Sequence, residues 1–208
     1  MIADSLRAEG RLKAWLTLAL SLGVCVPYFG IQHLSLFPSR PLAATRLDDL
    51  VPFQPEWTWV YQSLYLFIPV LPFLARRKET LIRYAKGLLA LSGACFVIFL
   101  LFPVAGPRPH AVPGNALYSL LVSYDAKTNA FPSLHAGLMA YSLFFGWRLL
   151  KEETEASFIK PLFLGLMLPW GAAILYATVA TKQHYVIDLP FGVLLAWLAH
   201  GWAWKRES

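Results

Sequence analysis

Charge is scarce in this chain. Only 14% of its 208 residues are Asp, Glu, Lys or Arg, where a soluble domain carries about 25%. Cysteine is scarcer still. Cys25 and Cys95 both lie in apolar runs, which excludes a secreted disulfide scaffold and reads them as small apolar fillers. The sequence holds no internal repeat, no low-complexity tract and no sign of a second domain. Its net charge of +6 is not gathered into a basic face, so no nucleic acid partner is expected. What is abundant is apolar: 57% of the residues are hydrophobic and the mean hydropathy is +0.52. A water-soluble core cannot absorb that excess. A disordered chain and an ordinary soluble enzyme are excluded, and an integral membrane protein remains.

A helix needs about 20 mostly apolar residues to cross the hydrocarbon of a bilayer. Six segments qualify: 14–31, 57–75, 87–105, 130–147, 161–181 and 185–204. The expected fold is all-α, a bundle of six transmembrane helices forming one membrane domain over 1–208. With a cytoplasmic N-terminus, thirteen of the 18 basic residues fall on inside segments. Arg40, Arg46, Arg108, Lys127 and Lys182 fall outside. That asymmetry obeys the positive-inside rule and places the C-terminus in the cytoplasm as well. The first span follows Arg7, Arg11 and Lys13 like a signal peptide. It lacks a small-x-small cleavage pattern, and Val24 before Cys25 spoils a lipoprotein box, so an uncleaved helix is expected. The acid-rich run 151–155 reads as a solvated inside loop. The segment 32–56, with Pro38, Pro41, Pro52 and Pro55, is the longest outside connection and is expected to cap the bundle at the interface. Short inside loops and the lack of a targeting tail favour a bacterial inner membrane.

Ionisable groups near membrane spans are costly, so each needs a reason. Three outside features collect them: Gly106-Pro-Arg-Pro-His110, Phe131-Pro-Ser-Leu-His135, and Thr181-Lys-Gln-His-Tyr-Val-Ile-Asp188. The topology puts all three at one membrane face. His184 and Asp188 stand i, i+4, one turn apart if the sixth helix already includes them. A carboxylate beside an imidazole can fix its tautomer and stabilise the cationic ring. Pro132 suits a first helical turn, whose free N–H groups, with the Ser133 hydroxyl, make an anion site. Arg108 can bind a phosphate bidentately, and Lys182 offers a second cation. His33 and His200 have no partner pattern, and Asp125 and Lys127 read as solvated loop residues.

The sequence Arg108-Pro109, then Pro132-Ser133-Leu134-His135, then His184-x-x-x-Asp188, resembles the type 2 phosphatidic acid phosphatase superfamily of integral membrane lipid phosphatases. The family's motifs are Lys, six residues, Arg-Pro; then Pro-Ser-Gly-His; then Ser-Arg, five residues, His, three residues, Asp. The resemblance covers 106–192, and the 48 residues between the two histidines suit it. Three positions depart from it: Leu101 stands for the Lys, Leu134 for the Gly, and Ala177-Thr178 for the Ser-Arg. Those departures are similar to the branch that holds the inositol phosphorylceramide synthases. The resemblance implies His184 as nucleophile, Asp188 as its orienting carboxylate and His135 as general acid and base. It also implies Arg108, Ser133 and Lys182, or His110 in place of a missing cation, as phosphate ligands. The substrate would be a phospholipid or an isoprenoid phosphate, attacked from the extracytoplasmic face without a cofactor or metal. A phosphatase and a headgroup transferase would use the same residues, and a transporter or an inactive scaffold is the non-enzymatic alternative.

Overall fold

The computed structural model describes residues 2–34, 36–109, 112, 114–152 and 158–205. His110 and residues 153–155 of the acidic run lie outside the described residues. Helix α1 (Ile2–Arg7) leads into α2 (Gly10–Ile31), and α3 (Arg46–Leu50) follows in the long connection after it. A 3-10 turn, Pro55–Trp57, opens onto α4 (Thr58–Gln62) and α5 (Leu64–Leu74). Next come α6 (Lys78–Leu101), α7 (Ala116–Tyr124), α8 (Leu134–Glu152) and α9 (Ile159–Leu162). A π-helical segment, Phe163–Met167, joins α9 to α10 (Leu168–Ala180), and α11 (Asp188–Ala203) is last.

Helix α8 is the hub, packed against α11, α10, α5 and α6. In a bilayer such packing rests on close van der Waals fit, because lipid tails are as apolar as leucine. Tyr84, Tyr141 and Phe145 fill the inner half of the hub. Their polar tips stay satisfied there: Tyr141 donates to the Tyr84 carbonyl at 2.9 Å and Tyr84 to the Ile68 carbonyl at 3.1 Å. Helix α2 lies at the edge and packs mainly on α6. Leu12, Leu16, Leu20, Val24 and Tyr28 recur every fourth residue and supply its inward stripe. Lys13 flanks that stripe but is buried, donating to the carbonyls of Ser5 and Phe73, so it ties the N-terminal helices to α5.

Each of the six expected spans meets helix, with altered bounds. The segment 57–75 is divided at Ser63, whose hydroxyl donates to the Val60 carbonyl at 2.6 Å and accepts from Trp170 Nε1 at 2.8 Å. The helix expected from residue 87 starts at Lys78, since nothing between 78 and 86 breaks a helix. Among the described residues three helices are long and apolar enough to cross a membrane: Gly10–Ile31, Lys78–Leu101 and the continuous Ile159–Ala180. Helix α8 ends in the charged turn holding Arg148, Lys151 and Glu152, and α11 has 16 residues.

Three connections are stitched together by backbone. The two-residue strands β1 (Arg40–Pro41) and β2 (Val104–Ala105) pair in parallel, and Val104 also bridges to Asn129. The Gly106 N–H donates to the Lys127 carbonyl at 2.8 Å. This small departure from an all-α plan draws 40–41, 104–106 and 127–130 to one place.

Candidate active site

The three polar features meet. The rings of His135 and His184 lie 6.0 Å apart between centroids, and both side chains are buried. Two close approaches make this possible. A Cβ on Gly106 would stand 2.7 Å from the Gln183 carbonyl oxygen, and one on Gly192 only 2.1 Å from the Ser133 oxygen. Only glycine fits at either place. The Ser133 N–H donates to the Asp188 carbonyl at 3.1 Å, which fastens the start of α8 to the start of α11.

His184 sits in the bend before α11, not on the helix, which begins at Asp188. The i, i+4 spacing still brings the pair together, but through a turn that Asp188 closes: its Oδ2 accepts from the Tyr185 N–H at 2.8 Å. That oxygen lies 3.7 Å from His184 Nδ1, too far for a hydrogen bond but close enough to act on a cationic ring. The tautomer is fixed elsewhere. His184 Nδ1 lies 2.8 Å from the Ala130 carbonyl oxygen. A carbonyl can only accept, so Nδ1 carries a proton, and in the neutral ring Nε2 keeps the lone pair.

His135 is the second residue of α8. Its ring stacks on Tyr61 at 4.0 Å, and its Nδ1 lies 3.1 Å from the Tyr61 hydroxyl. Pro132 precedes α8 rather than entering its first turn, and Ser133 serves as the cap. Ser133 Oγ accepts from the Ala136 N–H at 3.2 Å.

Arg108 is buried against Asp125. It donates to the Asp125 backbone oxygen and, at 3.3 Å, to Oδ2. Asp125 Oδ1 accepts from Gln32 Nε2 at 2.7 Å and from the Tyr28 hydroxyl at 3.0 Å. This corrects the reading of Asp125 as a solvated loop residue. A buried guanidinium demands a counter-charge, and Asp125 is the one the fold provides. Arg108 acts electrostatically on His135 and on Tyr118. Burial pushes the Tyr118 phenol up, and the guanidinium opposes that shift.

Lys182 does not join this group. Its ammonium donates to the carbonyls of Asp48, at 2.8 Å, and Val51, at 2.6 Å. Three buried polar atoms of the gathered residues have no hydrogen-bond partner among the described residues: Arg108 Nε, His135 Nε2 and Asp188 Oδ1. Such atoms are rare in folded proteins, and each calls for a partner beyond the ones these residues supply.

Sequence reasoning missed Tyr61, Asp125, Ala130 and Asp48. Tyr61 is one aromatic among many in an apolar segment, and Ala130 contributes only backbone, so neither carried a signal. Thr45-Arg-Leu-Asp48 did carry one, since Thr-x-x-Asp is a capping-box pattern. Thr45 and Asp48 form that box, and Asp48 Oδ1 also accepts from the Val186 N–H at 2.7 Å. Burial works against the Asp48 carboxylate. The bonds from Val186 and Thr45 and the Lys182 charge outweigh it and hold its pKa below the ordinary value.

A sequence profile of the PAP2 superfamily, the type 2 phosphatidic acid phosphatases, matches residues 32–202. The chain belongs to the PAP2 superfamily. No curated protein and no solved structure matches it. Membership brings phosphatase or phosphotransferase chemistry and, with the apolar helices, a membrane setting. At the superfamily's two missing cation positions, Leu101 is exposed at the end of α6, while Ala177 and Thr178 are buried. The Thr178 carbonyl accepts from the N–H groups of Gln183 and His184, at 3.2 and 3.3 Å. Backbone therefore shapes the His184 bend.

Proposed function

We propose that the chain is a membrane lipid-phosphate phosphatase working through a phosphohistidine on the extracytoplasmic face of a bacterial inner membrane. In this reading six helices span the bilayer and both termini are cytoplasmic. One observation carries the reading: the buried rings of His184 and His135 lie 6.0 Å apart, with His184 Nδ1 against the Ala130 carbonyl and the buried Arg108 guanidinium acting electrostatically on His135.

The lone pair of His184 Nε2 attacks phosphorus. The P–N bond forms as the bond to the lipid oxygen breaks. In this reading His135 acts as the imidazolium, its Nδ1–H donating to the Tyr61 oxygen 3.1 Å away, and its Nε2 proton passes to the leaving oxygen to leave the neutral ring. Asp188, 3.7 Å from the His184 ring nitrogen, offsets the charge of the phosphorylated imidazole. His135 Nε2 then takes a proton from water, whose oxygen displaces His184 and releases phosphate. Splitting one hard displacement into two is the gain of covalent catalysis. Arg108 and the Ser133 hydroxyl hold the phosphoryl oxygens.

A specific observation favours a second reading, transfer of a phosphorylated headgroup to an alcohol. Leu101 and Thr178 stand where the family carries cations, and Arg108 is already paired with Asp125. A phosphomonoester brings a charge of about −1.5 to −2 at neutral pH, a phosphodiester only one. A site with less positive charge suits the diester. The test is incubation with a labelled phosphatidate or phosphatidylinositol in micelles, with and without inositol or diacylglycerol, followed by mass spectrometry. Free phosphate from phosphatidate supports hydrolysis, and a new phospholipid supports transfer. Neither product from any pair contradicts both readings.

A further inference from the structure

The segment 45–54 reaches across the outer face and ties the His184 bend at both ends. Before the bend, the Gln54 N–H donates to the Ala180 carbonyl at 2.8 Å. Within it, the Lys182 ammonium bonds the carbonyls of Asp48 and Val51. Lys182 takes a left-handed backbone, φ 53°, which a residue with a side chain adopts only when its surroundings fix it. After the bend, Asp48 Oδ1 accepts from the Val186 N–H at 2.7 Å. The other oxygen of the same carboxylate accepts from the N–H and the hydroxyl of Thr45, both at 2.7 Å. Thr45 therefore locks the carboxylate, and the carboxylate locks the chain two residues beyond His184.

We infer that 45–54 is a strap that sets the position of the nucleophile, with Asp48 as its positioning residue and Lys182 as its second tie. The inference rests on the reading of His184 as nucleophile. It assigns Lys182 to the strap rather than to the phosphate. Among the described residues His184 has one side-chain hydrogen bond, to Ala130, so its Nε2 is only as well placed as the bend that carries it. The strap acts through geometry, and its loss should lower the chemical step more than substrate affinity.

The experiment compares Asp48→Ala, Lys182→Met and the double variant in detergent micelles. Asp48→Ala should lower kcat about 10²-fold, the scale of a misplacement of about 1 Å, with KM within about twofold. Lys182→Met should lower kcat by a smaller factor. Both act on one bend, so the double variant should be no more than about twofold slower than Asp48→Ala. Hydrogen exchange should speed up about tenfold or more at 182–187 in Asp48→Ala and stay unchanged in the middle of α8. Unchanged exchange at 182–187, a rise in KM at constant kcat, or losses that multiply would each overturn the inference. If Asp48→Ala does not fold, Thr45→Val removes one bond from the carboxylate and carries the test: faster exchange at 182–187 supports the strap, and unaltered exchange sinks it. If the wild-type chain turns over no lipid phosphate, the functional reading fails and the exchange measurement still decides the strap.

Discussion

His135 and His200 sit at opposite ends of one bundle in similar aromatic settings. The ring of His135 stacks on Tyr61 at 4.0 Å, and that of His200 stacks on Trp204 at 4.6 Å. Each has an Nε2 that is buried without a partner among the described residues. What differs is the company. His135 has a second imidazole 6.0 Å away, and Arg108 acts on it electrostatically. His200 is ringed by Tyr141, Phe144 and Trp204. A stacked histidine is thus a packing residue at one end and a candidate acid and base at the other. The segments 131–135 and 181–188 make that difference, because they set a second imidazole, His184, beside His135, whereas the groups that act on His200 are Arg148 and Glu152.

Substitutions sharpen the contrast. The largest effect belongs to His184→Ala, which should abolish phosphoryl turnover in a micelle assay while the protein still elutes as a folded species. His135→Asn comes next: loss of a placed acid and base should slow turnover about 10²–10⁴-fold. Asp125→Ala should cost about 3 kcal/mol of stability, because it strands a buried guanidinium. Vanadate, a phosphate mimic, should then raise the melting temperature of that variant more than that of wild type. A pH titration gives a weaker signal. The Asp48 pKa is lowered on folding, so its carboxylate contributes stability above the ordinary carboxylate range and loses it as pH falls through the folded-state value. The stability gap between wild type and Asp48→Asn should be widest at neutral pH and close in acid. His200→Phe should leave turnover within about twofold, since it keeps the stack on Trp204. A large loss there would break the comparison.

Much of this was legible in the sequence because apolar runs and chemical motifs are local. The runs marked the longer helices but not α1, α3 or α7, and the basic residues sorted the connections, which led to the expectation that 106–110, 131–135 and 181–188 share one face. What stayed hidden depends on contacts between distant residues. The Ala130 carbonyl that fixes the His184 tautomer has no side-chain signature. Asp125 looks like any loop carboxylate until Arg108, Tyr28 and Gln32 close on it from two other segments. Lys182 reads as a phosphate ligand because charge is visible in a sequence, whereas the carbonyls of Asp48 and Val51 that hold it are not. The break at Ser63 escaped notice because its support comes from Trp170, on another helix.

The most direct test of the account is to trap the covalent intermediate. The protein in micelles is mixed with a lipid phosphate bearing labelled phosphorus, quenched in alkali within the first turnover, digested and sequenced by mass spectrometry. The account predicts label on His184, stable in alkali and lost in acid, and no label in His184→Ala. Turnover of the same lipid with the label on another residue, or with His184→Ala still active, would contradict it.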